Sequence, residues 1–139
     1  MRKVLLSVLC LAVAMVLQGQ TITKTVTLKS TDLGNQKLVA IIGNDTAYAM
    51  QIKTGNRYYK SLTVGLGDRK EAIRLLTFLY DTEISKGDII DLENPTHNLV
   101  SKNPLGGLLV ISEGRQFSGQ LRKPNIKAFI EAIQEFAPE

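Results

Sequence analysis

Between residues 21 and 64 the chain is divided into short segments by turn-forming triplets, and this spacing limits the fold more than any other feature. Thr21–Lys29 alternates strictly. Thr23, Thr25, Thr27 and Lys29 lie on one side, and Ile22, Val26 and Leu28 on the other, with Lys24 as the exception. A period of two marks a half-buried strand whose polar row faces water. Three more strand segments follow at Lys37–Ile42, Thr46–Lys53 and Arg57–Val64, separated by Gly43-Asn44-Asp45 and Thr54-Gly55-Asn56. Polar turns this short join antiparallel neighbours, so the stretch predicts a meander. Tyr48, Met50 and Ile52 share a face in its third strand; Tyr58, Leu62 and Val64, with Lys60, share one in its fourth.

From Asp68 the period changes. Ala72, Leu75, Leu76 and Leu79 recur at spacings of three and four, which makes an amphipathic helix. Asp68 as N-cap and Glu71 at N3 form a capping-box pair, and the helix is expected to end near Asp81–Ile84, before Gly87. Residues 86–107 read as the least regular part, a long loop broken by Asn94-Pro95 and Asn103-Pro104, with Asp88–Leu92 as a short strand. Leu108–Ser112, the turn Glu113-Gly114-Arg115 and Gln116–Arg122 make a second hairpin. Pro124 opens a final helix with the buried stripe Ile126, Phe129, Ile130 and Ile133. The predicted class is α+β: a single antiparallel sheet of about six strands in the order ββββ-α-(β)-ββ-α, with two amphipathic helices packed on one face. No internal repeat is visible.

The amino terminus carries a different signal. Arg2 and Lys3 precede an apolar run from Val4 to Leu17, and Gly19-Gln20 follows. This is the pattern of a secretory signal peptide, residues 1–19, cleaved to leave residues 20–139 as a single α+β domain. As a membrane anchor the run falls short of the roughly 20 apolar residues a spanning helix needs. A lipoprotein site at Cys10 would want a small residue before the cysteine, where Leu9 stands. The expected location is therefore exported, periplasmic or secreted, and stable membrane insertion is not expected after cleavage. Cys10 is the only cysteine and leaves with the leader, which rules out a disulfide framework, a thiolate metal site and a cysteine nucleophile in the mature chain. Export without disulfides suits a bacterial envelope. Loss of Arg2 and Lys3 lowers the formal charge from +4 to +2, an ordinary surface balance that gives no nucleic-acid footprint.

The motifs that could carry chemistry each have a plain structural alternative. Gly65-Leu66-Gly67 sits between a strand and a helix, but Lys70 stands where a dinucleotide loop needs its third glycine, and Asp68 would repel a phosphate; a tight strand-to-helix turn explains it better. Asp81, Glu83, Asp88, Asp91 and Glu93 crowd one stretch without the spacing of a calcium loop, so a solvated acidic rim is preferred over a metal site. His97, the sole histidine, lies in a loop and has no Gly-x-Ser-x-Gly serine to serve. Arg57-Tyr58-Tyr59-Lys60 interleaves aromatic and basic residues on a strand, and Arg57 with Tyr59 on an exposed face would suit recognition of a protein or glycan. Arg115, Arg122 and Lys123 form a basic hairpin edge that either meets a partner or discourages edge aggregation. Asn44-Asp45-Thr46 matches a glycosylation sequon, relevant only in a eukaryotic secretory pathway.

These observations favour a small exported, non-catalytic binding or accessory domain with no cofactor and no metal, acting on an envelope protein or a glycan. Its expected binding surface comprises Arg57, Tyr59, His97, Arg115 and Arg122. The alternatives are a hydrolase-like enzyme that uses His97 with nearby carboxylates, or a calcium-stabilised structural subunit.

Overall fold

The computed structural model describes residues 22–31, 34–55, 60–115 and 117–136. The expected leader, residues 1–19, lies outside them, as do Arg57 and Tyr59. Strands β1 (Lys24–Thr31), β2 (Gln36–Ile42), β3 (Thr46–Lys53) and β4 (Ser61–Gly67) form an antiparallel sheet in that spatial order, as the turn triplets predict. Leu38 pairs with Met50, and Met50 with Val64. This register gathers Leu38, Ala40, Tyr48, Met50, Ile52, Leu62 and Val64 on one buried face. Two bulges bend the sheet. One falls at Leu28 in β1, between the Thr27 and Lys29 pairings; the other falls at Leu66 in β4, where Gly65 and Gly67 pair with Ala49 and Tyr48.

Helix α1 (Arg69–Asp81) follows, opened by the expected capping box. The Asp68 carboxylate accepts from the Glu71 N–H at 2.8 Å, and the Glu71 carboxylate accepts from the Asp68 N–H at 3.0 Å. Ala72, Leu75, Leu76 and Leu79 are its buried stripe.

The single six-stranded sheet is not what forms. Strands β5 (Ile89–Asp91), β6 (Leu99–Lys102), β7 (Leu108–Ile111) and β8 (Ser118–Leu121) make a second four-stranded antiparallel sheet of their own. Strand β6 lies inside the stretch expected to be a loop. Its four residues are too few to show a period, and it is held by partners on both sides, Ile90↔Val100 and Val100↔Val110. On the side of β4 away from β3, Gly65 is met by side chains of the β5–β6 loop. The Gly65 N–H donates to Thr96 Oγ1 at 2.8 Å, and its carbonyl accepts from Asn94 Nδ2 at 2.8 Å. Side chains there take the place of a fifth strand.

Helix α2 (Lys123–Glu135) closes the chain, with Ile126, Phe129 and Ile133 buried. The order of elements thus repeats, four strands and a 13-residue helix twice over. α1 packs on β3 and β4, α2 packs on β1, and the helices touch each other. Both sheets and both helices feed one apolar core, where each fully buried leucine, isoleucine or phenylalanine contributes about 1.5–3 kcal/mol. The sheets meet closely at Gly119 in β8, where an added Cβ would lie 2.6 Å from Ile52 Cγ2. Beside that contact runs a polar seam: Gln36 Nε2 donates to the Gln120 carbonyl at 3.0 Å, and Asn125 Nδ2 donates to Gln36 Oε1 at 2.7 Å.

Candidate functional site: a cationic cleft at the start of helix α2

The turn between β6 and β7 is built from Asn103-Pro104-Leu105-Gly106-Gly107. Asn103 Oδ1 accepts from the Leu105 N–H at 3.0 Å, and the Asn103 carbonyl accepts from the Gly106 N–H at 2.9 Å. Gly106 and Gly107 hold φ of +109° and +77°, which glycine adopts without a steric cost. Gly107 also presses on the end of β8, because a Cβ there would sit 2.9 Å from the Leu121 carbonyl oxygen. Gln120 Nε2 donates to the Gly106 carbonyl at 3.1 Å, pinning the turn to β8. On the far side Lys123 Nζ donates to the Thr82 carbonyl at 3.2 Å, tying the start of α2 to the end of α1.

These ties leave a cleft of about 480 Å³ between the turn, residues 83–84 and the β8–α2 junction. Lys102, Arg122 and Lys123 line it against one carboxylate, Glu83, with Ile84 and Leu108 as apolar walls. Leu105 stands at the rim, 91% exposed. The positive character comes from side chains more than from the helix end. Pro124 has no N–H, and the Asn125 N–H is turned to the Arg122 carbonyl at 3.0 Å. The two helix starts still differ: carboxylates close α1, whereas α2 has no side-chain cap and no acidic residue in its first turn. The described residues that line the cleft supply no hydroxyl, thiol or imidazole. It is equipped to hold an anionic group.

Of the expected binding surface, Arg122 lines this cleft, as do Lys123 of the basic edge and Glu83 of the acidic stretch. Arg115 does not. It follows Gly114 with a left-handed φ of +60° and borders a shallow depression on the second sheet, with Ile89, Leu109, Ile111 and Phe117. His97 is exposed on the β5–β6 loop. The described part of the expected surface is therefore spread over separate places. Lys102, Gln120 and the Gly106-Gly107 turn were the missed part of the cleft. Their signal in the sequence is a glycine pair between two hairpin strands, which is hidden once β6 is read as loop.

The loop bearing His97 is firmly built. Asn94 and Asn98 are buried, and each engages the other: Asn98 N–H to Asn94 Oδ1 at 2.8 Å, Asn94 Nδ2 to Asn98 Oδ1 at 2.9 Å. The Thr96 hydroxyl also donates to Asn98 Oδ1, and Asn98 Nδ2 donates to the Ile111 carbonyl at 3.1 Å. Gly65 allows this loop to approach, since a Cβ there would meet Pro95 Cβ at 3.2 Å. Glu93 and His97 take left-handed φ of +52° and +53° as the chain turns.

At Gly65-Leu66-Gly67 the Glu71 carboxylate fills the space an anion would need, lying 2.5 Å from a Cβ built on Gly67. In the acidic stretch, Asp88 accepts from the Ser85 N–H and Asp91 from the Glu93 N–H. No three His, Cys, Asp or Glu among the described residues come together to hold a metal ion. Among the same residues no helix is long and apolar enough to cross a membrane. Burial pushes the Tyr48 hydroxyl above its ordinary pKa, and the Arg69 guanidinium draws it part of the way back. Compared with known proteins, the chain matches no family model, no curated protein and no solved structure.

Proposed function

We propose that the chain is a small exported binding module that holds an anionic group of its partner in the cleft at the start of α2. The observation that supports this reading is the lining: among the described residues, Lys102, Arg122 and Lys123 border about 480 Å³ with one carboxylate, Glu83. Convergent cations in a concave site attract and orient an anion more strongly than cations scattered over a convex surface. The cleft's walls belong to pinned elements, so its shape is set before a ligand arrives. Calorimetry with galacturonate and with inorganic phosphate tests the reading. Wild type should bind one of these anions, and Lys102→Glu with Arg122→Glu should abolish the heat. Retained binding in that variant would place the anion elsewhere.

A catalytic reading has one observation in its favour. His97 and Glu93 hold left-handed backbone in a loop fixed by buried asparagines, and strain of this kind collects at functional sites. Loss of an assayable hydrolase activity in His97→Ala, with anion binding intact, would move the function to that loop.

A further inference from the structure

A bare anion gains nothing from the leucine at the rim of the cleft. Leu105 is 91% exposed, and the backbone beneath it is held on both sides. Its own N–H donates to Asn103 Oδ1, the Asn103 N–H donates to the Gly107 carbonyl at 3.1 Å, and Gln120 Nε2 ties the Gly106 carbonyl to β8. A turn fixed in this way presents Leu105 to solvent in one place. Single exposed apolar residues are common and by themselves signify nothing. This one stands among cations. Lys102 immediately precedes the turn, and Arg122 and Lys123 border the same cleft with Glu83. The connection from α1 to β5 reaches this end of the second sheet as well, since Ile89 pairs with Ser101. It brings Lys86 and Asp88, which offset each other, so the excess of positive charge remains.

We propose that this end of the molecule docks on an anionic membrane surface, with Leu105 entering the boundary between headgroups and acyl chains and a lipid phosphate seated in the cleft. The inference rests on the anion-binding reading of the cleft and names the source of the anion. Interfacial binding draws on buried apolar area and on attraction to anionic lipids together. The turn supplies the first and the cleft the second. An ammonium has three donors, so Lys123 can meet a phosphate while it holds the Thr82 carbonyl. Shape favours a bilayer over a protein. A protein partner would need a fitted pocket for the leucine, whereas a fluid headgroup layer closes around it without one.

The test uses the full chain, so every variant carries the same amino terminus and differences between variants belong to the turn. The sequence has no tryptophan, so Leu105→Trp places a single indole on the turn. Its emission should shift to the blue, saturably, with vesicles of mixed phosphatidylglycerol and phosphatidylcholine. It should not shift with phosphatidylcholine alone, and adding Lys102→Glu should abolish the shift. In co-sedimentation with the mixed vesicles, Leu105→Ser should bind about tenfold more weakly than wild type, the loss expected when one leucine is withdrawn from an apolar phase. Leu105→Trp should bind at least as tightly as wild type. Thermal melts matching wild type show that the variants are folded. An indole that stays in water, or Leu105→Ser that sediments as wild type does, overturns the membrane reading. An equal shift with phosphatidylcholine alone overturns the part given to the cations. Wild type that binds inorganic phosphate in calorimetry but not the mixed vesicles also overturns the membrane reading, and leaves the cleft to a soluble anion or an acidic protein. If it binds neither, the cleft reading falls as well.

Discussion

At the scale of single residues, the side chains that shape the cleft and its supporting loop make different physical demands. Gly107 combines a left-handed φ of +77° with a close approach: a Cβ added there would lie 2.9 Å from the Leu121 carbonyl oxygen. Gly107→Ala should cost about 1 kcal/mol or more in urea unfolding and should weaken anion binding, because the turn it displaces walls the cleft. Asn98 is 1% exposed. Asn98→Ala removes the bonds its side chain makes to the Ile111 carbonyl, the Asn94 amide and the Thr96 hydroxyl, so a loss of about 2 kcal/mol is expected, read as a fall in Tm of roughly 10 °C. Tyr48 ties stability to alkaline pH. Its folded pKa lies above the unfolded value near 10, so the fold favours the protonated hydroxyl. That contribution is fully present below the unfolded value and is lost as pH rises through the folded one. Melts of wild type should decline above about pH 10, and Tyr48→Phe should decline less steeply.

At the scale of elements, legibility follows the strength of local signals. The first meander was readable because turn chemistry and alternation agree: Thr46–Lys53 is the observed third strand, and Gly43-Asn44-Asp45 is its entry turn. Helix α1 was readable for the same reason, with stripe, N-cap and N3 partner in register. Asp68→Ala should cost about 1 kcal/mol, with the unfolding midpoint in urea as the measure. β6 was not readable. Leu99-Val100-Ser101-Lys102 has no period of its own and becomes a strand only between β5 and β7, so its structure is set by distant partners. The division into two sheets was hidden for a related reason. Asn94 and Thr96 meet the β4 edge at Gly65 through contacts about thirty residues apart in the chain, which no local pattern records.

At the scale of the whole molecule, the cleft arises from the way the second meander closes against α2 and the end of α1. Arg122 was visible in the sequence as part of a basic edge; its convergence with Lys102 was not, because the two meet only once β6, β7 and β8 are paired. The same assembly sets the electrostatics. Exposed cations act through a screened field, with a Debye length of about 8 Å at physiological ionic strength, so binding to the cleft should weaken steadily as salt is raised. The most direct test of the account is a backbone chemical-shift titration with galacturonate and with inorganic phosphate at low salt. The account predicts saturable shifts centred on residues 83–84, 102–108 and 120–124, absent in Lys102→Glu with Arg122→Glu. Saturable shifts centred on the His97 loop or the Arg115 depression, with those segments silent, would contradict it.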